Sequence, residues 1–126
     1  MTKTAIRTTR APQPAGPYSQ GIIANGFLYT AGFGPQDPDT GVVGDSVADQ
    51  TRQVLRNISA VLAEYGLSLD DCVKTTVHLA DLADFAEFNR AYEEFFTEPY
   101  PVRTTVGSQL ANILVEIDVV AALPAE

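Results

Sequence analysis

The chain has 126 residues, of which 45% are hydrophobic and 19% charged, so it can bury a packed core and wholesale disorder is excluded. Sixteen Asp and Glu against eight Lys and Arg give a formal net charge of −8. Nucleic acid and anionic membranes are therefore unfavourable partners, since both repel an acidic surface. The length predicts one domain covering residues 1–126, because domains cluster near ~100–150 residues.

Cysteine and histidine are scarce. The single Cys72 excludes an intramolecular disulfide, and with the single His78 it is too little to build a zinc site, so no metal is expected. No apolar segment of signal-peptide type follows the basic N-terminus, and no apolar run approaches the ~20 residues that cross a bilayer. We expect a cytoplasmic protein.

The first part of the chain is punctuated by Pro and Gly. Ala11–Gly21 holds three prolines and two glycines and is predicted to be an ordered loop. The dipeptide Asn25-Gly26 predicts a tight hairpin between strands at 22–24 and 27–31, because a type I′ turn needs positive φ at both central residues. A second loop, Gly32–Gly44, follows.

A first helix is predicted to begin after Ser46, whose spacing to Asp49 resembles a capping box, and to end at Gly66. Its apolar face, at helical spacing, consists of Val54, Leu55, Ile58, Val61, Leu62 and Tyr65.

A second helix is predicted to begin near Asp84 and to be ended by Pro99. The segment Asp81–Glu98 holds six carboxylates against Arg90 alone, which is typical of a solvated helix face. The apolar stripe, interpreted as core packing, is formed by Phe85, Phe88, Ala91, Tyr92, Phe95 and Phe96.

Strands are predicted at 73–79, 103–106 and 113–123. Right-handed crossovers would place both helices on one face of a single sheet, giving an α+β fold. The other face would then be too apolar for water and too polar for a core, which indicates a subunit interface. It would carry Thr76, His78, Leu114, Glu116, Asp118 and Val120.

Three side chains could carry chemistry. Arg103 follows two prolines that hold the chain extended, and its planar guanidinium suits a substrate carboxylate; the alternative is a structural pair with Glu116 or Asp118. Glu116 and Asp118 leave the same strand face and could act as acid and base; the alternative is a solvated sheet edge.

Other residues give weaker signals. Tyr18 and Ser19 lie in a stiff loop of the kind that often lines sites, and Gly32 with Gly34 offers backbone N–H groups. No serine or cysteine near His78 in sequence suggests a triad. Cys72 is interpreted as a small core residue.

The ordered motifs resemble the RidA/YjgF family of reactive-intermediate deaminases over nearly the whole chain. These motifs are Gly16–Gly21, Thr30–Gly32, Val73–Val77, Asn89, Pro101–Arg103 and Val115–Ile117. The resemblance implies a chorismate-mutase-like mixed β-sheet with two helices packed on one face. It also implies a homotrimer with an inner β-barrel and three intersubunit clefts.

The activity implied by this resemblance is hydrolysis of enamines and imines, such as 2-aminoacrylate, to 2-keto acids and ammonia. It is of the 2-iminobutanoate/2-iminopropanoate deaminase type and uses no metal or organic cofactor. Arg103 matches the arginine that binds the substrate carboxylate, and Glu116 matches the glutamate that orients or activates water. Tyr18, Asn89 and Gly32 match positions that line the cleft.

Three positions depart from the family pattern. Ala31 stands where the family usually has serine, and Thr105 stands where cysteine is frequent. Phe33 replaces the usual glutamine after Gly32, and we expect it to narrow the pocket or favour apolar substrates. These departures concern the substrate range.

Two other functions remain as hypotheses. One is a non-catalytic regulatory trimer in which Arg103 binds a small carboxylate. The other is the endoribonuclease or translation-inhibitor activity also associated with this family name. The charge of −8 and the single histidine argue against RNA cleavage.

Overall fold

Six strands form one mixed sheet, and two helices cover one of its faces in the computed structural model, which describes residues 2–125. Met1 and Glu126, the ends of the predicted domain, lie outside the described residues. The strands are β1 (Thr4–Ile6), β2 (Gly21–Ala24), β3 (Phe27–Thr30), β4 (Cys72–Leu79), β5 (Val102–Gly107) and β6 (Val115–Ala122). The helices are α1 (Val47–Ala63) and α2 (Phe85–Tyr92), with short 3₁₀ turns at Leu69–Asp71 and Leu82–Asp84.

The sheet order is β1-β2-β3-β6-β4-β5, in which β4 and β5 run parallel and every other pair is antiparallel. The mixed α+β prediction is therefore confirmed. β6 lies in the interior of the sheet, paired with β3 and β4, while β5 has a free edge.

The hairpin between β2 and β3 has the geometry that its sequence predicts. Asn25 has φ 52° and Gly26 has φ 84°, both in the left-handed region that a type I′ turn requires. Glycine adopts this conformation without a steric cost, and asparagine tolerates it better than most residues. The tight turn sets the register in which Ile22 pairs with Tyr29.

Helix α1 begins and ends where its capping residues predict. The Ser46 hydroxyl accepts a hydrogen bond from the Asp49 backbone N–H (3.0 Å). At the other end Gly66 has φ 73°, and the Leu67 N–H donates to the Leu62 carbonyl (3.0 Å), which closes the last turn. The predicted apolar face is buried except for Tyr65, which is half exposed beyond the helix end.

Helix α2 is shorter than predicted: it ends at Tyr92, whereas the sequence predicts an end near Pro99. After Tyr92 the chain tightens into hydrogen bonds from Glu94 to Ala91 and from Phe95 to Tyr92. This turn brings Phe96 back onto the Tyr92 ring, with 4.4 Å between centroids. The apolar stripe is thus continued by a turn after the helix has ended.

The acidic segment 81–98 is not wholly a solvated face. The Glu87 carboxylate accepts a hydrogen bond from the Ala48 N–H in the first turn of α1 (3.0 Å). Arg52 of α1 makes two hydrogen bonds to Glu94 (3.1 and 3.0 Å). Two of the six carboxylates therefore join α2 and the turn after it to α1.

The two sheet faces differ as the alternation of β6 predicts. Val115, Ile117, Val119 and Ala121 are buried on the helix-covered face. The opposite face is open in the single chain, and its β6 residues, including Glu116 and Asp118, are half-buried. Exposed apolar side chains on this open face are Phe27, Tyr29, Val102 and Val106.

Candidate functional site

The sheet divides the sequence-predicted site residues into two groups. Arg103 lies on the helix-covered face, because it pairs in register with Thr75, which is buried beneath α2. Glu116 pairs with His78 and lies on the open face. Each chain therefore holds two groups of candidate residues on opposite faces of the sheet, called here the Arg103 half-site and the Glu116 half-site.

The Arg103 guanidinium packs on the inner side of α2. Its central carbon lies 5.5 Å from the ring centroid of Phe85, 5.4 Å from that of Phe88 and 4.8 Å from that of Tyr92. Its Nη2 donates a hydrogen bond to Asn89 Oδ1 at 2.8 Å. The alternative of a structural pair with Glu116 or Asp118 is wrong, since Arg103 makes neither contact.

An open pocket of about 500 Å³ adjoins Arg103. The residues around it are Asn89, Tyr92, Glu93, Tyr100, Pro101 and Arg103. Thr105 lies two residues farther along β5, on the same face as Arg103, and is half-buried. A guanidinium with aromatic rings against it and several N–H donors left over is suited to bind a carboxylate.

The second half-site is built around Gly32 and Glu116. A Cβ placed on Gly32 would lie 2.8 Å from Glu116 Oε2 and 3.1 Å from its Cδ, so the carboxylate rests directly against the glycine backbone. A larger residue at this position would make the Glu116 carboxylate shift, so glycine lets the carboxylate keep its observed place.

A β-bulge brings Gly32 to this position. After Thr30 the chain gains one residue relative to β6 before Phe33 pairs with Ile117. The Thr30 hydroxyl accepts a hydrogen bond from the Val119 N–H (3.0 Å), which the bulge would otherwise leave unpaired. The strand thereby departs from β6 at Ala31 and Gly32, beside Glu116.

A cleft of about 650 Å³ lies over this half-site. The residues around it are Lys3, Pro17, Tyr18, Ser19, Ile22, Tyr29, Thr30, Ala31, Gly32 and Glu116. Tyr18, Ala31, Gly32 and Glu116 are thus brought together as predicted. Phe33 is 5% exposed and packs in the core, but it also borders an adjoining cavity of about 430 Å³ whose lining includes Tyr18, Gly32 and Glu116.

The loop that carries Tyr18 is held by Gln20, a residue whose role the sequence analysis missed. The Gln20 side chain is buried; it accepts from the Thr8 N–H (2.8 Å) and donates to the carbonyls of Thr8 and Pro12 (3.1 and 2.9 Å). The Tyr18 hydroxyl accepts from the Ala15 N–H (3.0 Å). The sequence feature that indicates this role is a glutamine within a Pro-rich segment. Its side-chain amide can hydrogen-bond to backbone N–H and C=O groups that have no partner in the sheet.

The aromatic residues against Arg103 were assigned by sequence only to the core. Phe85, Phe88 and Tyr92 also form the surface on which the guanidinium rests. Their helical spacing around Asn89 indicates this second role, because residues three and four positions apart lie on the same face of a helix.

Asp118 and His78 lie on the open face of the sheet, away from Arg103. Burial raises the pKa of Asp118, and the charges of His78 and Lys74 oppose that rise. His78 Nδ1 is 2.7 Å from the Ser108 hydroxyl, a spatial neighbour distant in sequence. Burial, together with Asp71 and Asp70, raises the pKa of the Cys72 thiol to about 12, so this cysteine is a core residue without thiolate character.

Residues 2–125 contain no group of three or more His, Cys, Asp or Glu side chains placed to hold a metal ion. Within the same range, no helix is both long and apolar enough to traverse a membrane.

The sequence and the fold of this chain are similar to those of many known proteins. The family model described as "Endoribonuclease L-PSP" matches residues 8–123. A RutC family protein of Pyrococcus horikoshii is 49% identical over 122 residues, covering 94% of this chain and 97% of the relative. The 2-iminobutanoate/2-iminopropanoate deaminase of Salmonella typhimurium is 42% identical over 126 residues, covering 96% and 98%.

Among solved structures, E. coli TdcF with bound serine superposes with a TM-score of 0.90 at 38% identity. The match covers 96% of this chain and 99% of that one. The two proteins are therefore similar both in fold and in sequence over nearly their whole length.

Proposed function

Because the chain belongs to the RidA/YjgF/endoribonuclease L-PSP family, we propose that it is a hydrolytic deaminase of 2-imino and enamino acids. The proposed products are 2-keto acids and ammonia. The observation that carries the proposal is the Arg103 guanidinium, which rests on three aromatic rings, has Asn89 on one edge and borders an open pocket. A relative that is 42% identical is named for this reaction, which supports the assignment.

The two half-sites are proposed to meet between subunits of a homotrimer. Arg103 and Glu116 lie on opposite faces of the sheet, so one small imino acid cannot contact both within one chain. The exposed apolar residues of the open face, together with the free edge of β5, supply a surface that association would bury. Closing three such sheets around an axis gives the inner barrel expected from the resemblance.

The proposed chemistry needs no metal or organic cofactor. An enamino acid first gains a proton on carbon and loses one from nitrogen, both exchanged with solvent, and becomes the imine. Arg103 binds the carboxylate and so fixes the imine carbon relative to a water molecule. Glu116 orients that water and accepts its proton as oxygen bonds to carbon. Glu116 passes that proton to the nitrogen, which gives the carbinolamine. The carbinolamine hydroxyl then loses its proton, the nitrogen gains one, and the C=O bond forms as the C–N bond breaks and ammonia leaves.

The cleft contributes further contacts in this proposal. Tyr18 and the Gly32 backbone border the Glu116 half-site, and Asn89 borders the Arg103 half-site. Ala31 and Thr105 stand beside these groups, and their side chains set the room left for the substrate side chain.

The test is ammonia release from imino acids that an amino-acid oxidase generates in the cuvette. Wild-type protein is expected to accelerate release, and Arg103→Ala is expected to lose the acceleration. Arg90→Ala is the matched control, because Arg90 is an exposed arginine on α2. If wild type and Arg103→Ala both give the uncatalysed rate, the deaminase proposal fails.

A second candidate is a non-catalytic binding protein for a small carboxylate. The structure of E. coli TdcF contains bound serine, which favours an amino-acid-like ligand. Calorimetry with 2-ketobutyrate alongside the ammonia assay separates the two functions. Binding that Arg103→Ala abolishes, without turnover in wild type, would favour this second candidate.

A further inference from the structure

The side chain beneath the Arg103 guanidinium is itself held in place. The Tyr92 ring lies 4.8 Å from the guanidinium carbon, nearer than Phe85 or Phe88. The Tyr92 hydroxyl is 2.9 Å from the Thr75 hydroxyl, and Thr75 is fully buried on β4. A chain of contacts therefore runs from the sheet interior to Arg103.

Two further aromatic rings pack against Tyr92. Phe96 stacks on it at 4.4 Å with 24° between the ring planes, and Phe88 packs at 5.4 Å. An aromatic ring held on one side by Phe96 and at its hydroxyl by Thr75 has little freedom to tilt. Its orientation thus determines the plane in which the guanidinium can stack.

We propose that Tyr92 is a positioning residue that sets the plane of the Arg103 guanidinium through its Thr75 hydrogen bond. Asn89 holds one edge of the guanidinium, and Tyr92 fixes its tilt, so the remaining N–H groups are directed at the carboxylate of the ligand. This proposal rests on the carboxylate-binding role of Arg103 and does not require that the bound ligand turn over.

Substitution of Tyr92 should change carboxylate binding more than the chemical step. Tyr92→Leu removes the ring against which the guanidinium packs. We therefore expect KM for the imino acid to rise about tenfold, while kcat stays nearly unchanged. The dissociation constant of 2-ketobutyrate, measured by calorimetry, should rise by the same factor. Tyr92→Phe keeps the ring but removes the hydroxyl that bonds Thr75, so both constants should rise by about two- to threefold, well short of the change in Tyr92→Leu.

Phe95→Leu is the matched control. It removes a partly buried ring from the same turn, but Phe95 is not among the ring contacts of Tyr92 or the contacts of Arg103. A purely structural role for Tyr92 would lower thermal stability in both variants and leave KM per folded chain unchanged. Selective weakening in Tyr92→Leu is the result that the proposal requires.

Thr75→Val provides an independent variant if Tyr92→Leu does not fold. It leaves the ring but removes the hydrogen bond that orients it, and an about two- to threefold rise in KM and in the 2-ketobutyrate constant is expected. Wild-type constants in Thr75→Val overturn the proposal, whether or not Tyr92→Leu folds. Absence of turnover in wild type would instead refute the deaminase function, and the calorimetric comparison would still decide the role of Tyr92.

Discussion

Arg103 and Glu116 point to opposite faces of the sheet because their partners on β4 are three residues apart. Arg103 is beside Thr75 and Glu116 is beside His78. Residues separated by an odd number of positions along a strand lie on opposite faces. The two groups proposed to act on one substrate are therefore placed in different clefts of each chain, and the proposed mechanism requires one group from each of two chains.

The contact between Gly32 and Glu116 predicts that Gly32→Ala lowers turnover. The added Cβ would meet Glu116 Oε2 at 2.8 Å, so the carboxylate must move. A displacement of about 1 Å at a catalytic group costs on the order of a hundredfold in rate, and this is the expected fall in kcat. Steady-state ammonia release measures it.

Gly107→Ala is the control for this substitution. Its Cβ would lie 3.3 Å from the flexible side chain of Leu82, which can shift. Turnover near the wild-type rate is expected. Equal kcat values for Gly32→Ala and wild type would show that the position of the Glu116 carboxylate is unimportant.

Asp118 makes stability depend on pH. Burial raises its pKa above the ordinary value of 3.8, so the ionised form is disfavoured in the folded protein. The protonated carboxyl is tolerated at low pH, and stability is lost as pH rises through the raised pKa. Asp118→Asn should therefore unfold at higher urea concentration than wild type at pH 7.

The difference between Asp118→Asn and wild type should shrink as pH falls through and below the ordinary pKa of 3.8, where the Asp118 carboxyl becomes protonated in the folded and the unfolded protein alike. Urea titrations at one protein concentration provide the comparison. A wild-type protein that is more stable than Asp118→Asn at pH 7 would indicate that the Asp118 charge has a favourable partner in the assembled protein.

Cys72 should be unreactive in the native protein. Its thiol is buried and has a pKa of about 12, so hardly any thiolate exists at pH 8. Ellman's reagent is expected to modify Cys72 only after unfolding in urea, and Cys72→Ala should release ammonia at the wild-type rate. Rapid modification of folded protein together with loss of activity would give this cysteine a catalytic role.

The local elements could be predicted from the sequence because each has its own short-range signal. Asn25-Gly26 specifies the hairpin, Ser46 and Gly66 bound α1, and the alternation along β6 separates its two faces. The family resemblance predicts a shared cleft for Tyr18, Gly32 and Glu116, and the structure brings these residues together.

Other features depend on contacts that the sequence does not encode locally. The early end of α2 follows from Phe96 packing back onto Tyr92. The dual role of the aromatic stripe depends on the register that places Arg103 beneath α2, and the hydrogen bond between His78 and Ser108 joins residues 30 positions apart. Periodicity identifies which residues are buried, but it does not identify their partners across the sheet.

The central claim is that each active cleft takes Arg103 from one chain and Glu116 from another. Arg103→Ala and Glu116→Gln chains, each carrying a different affinity tag, can be co-expressed and the mixed assemblies purified over both tags. A mixed trimer should recover about one third of the wild-type ammonia release, because one cleft in three then carries both native side chains. Mixed assemblies no more active than either single variant would contradict the claim.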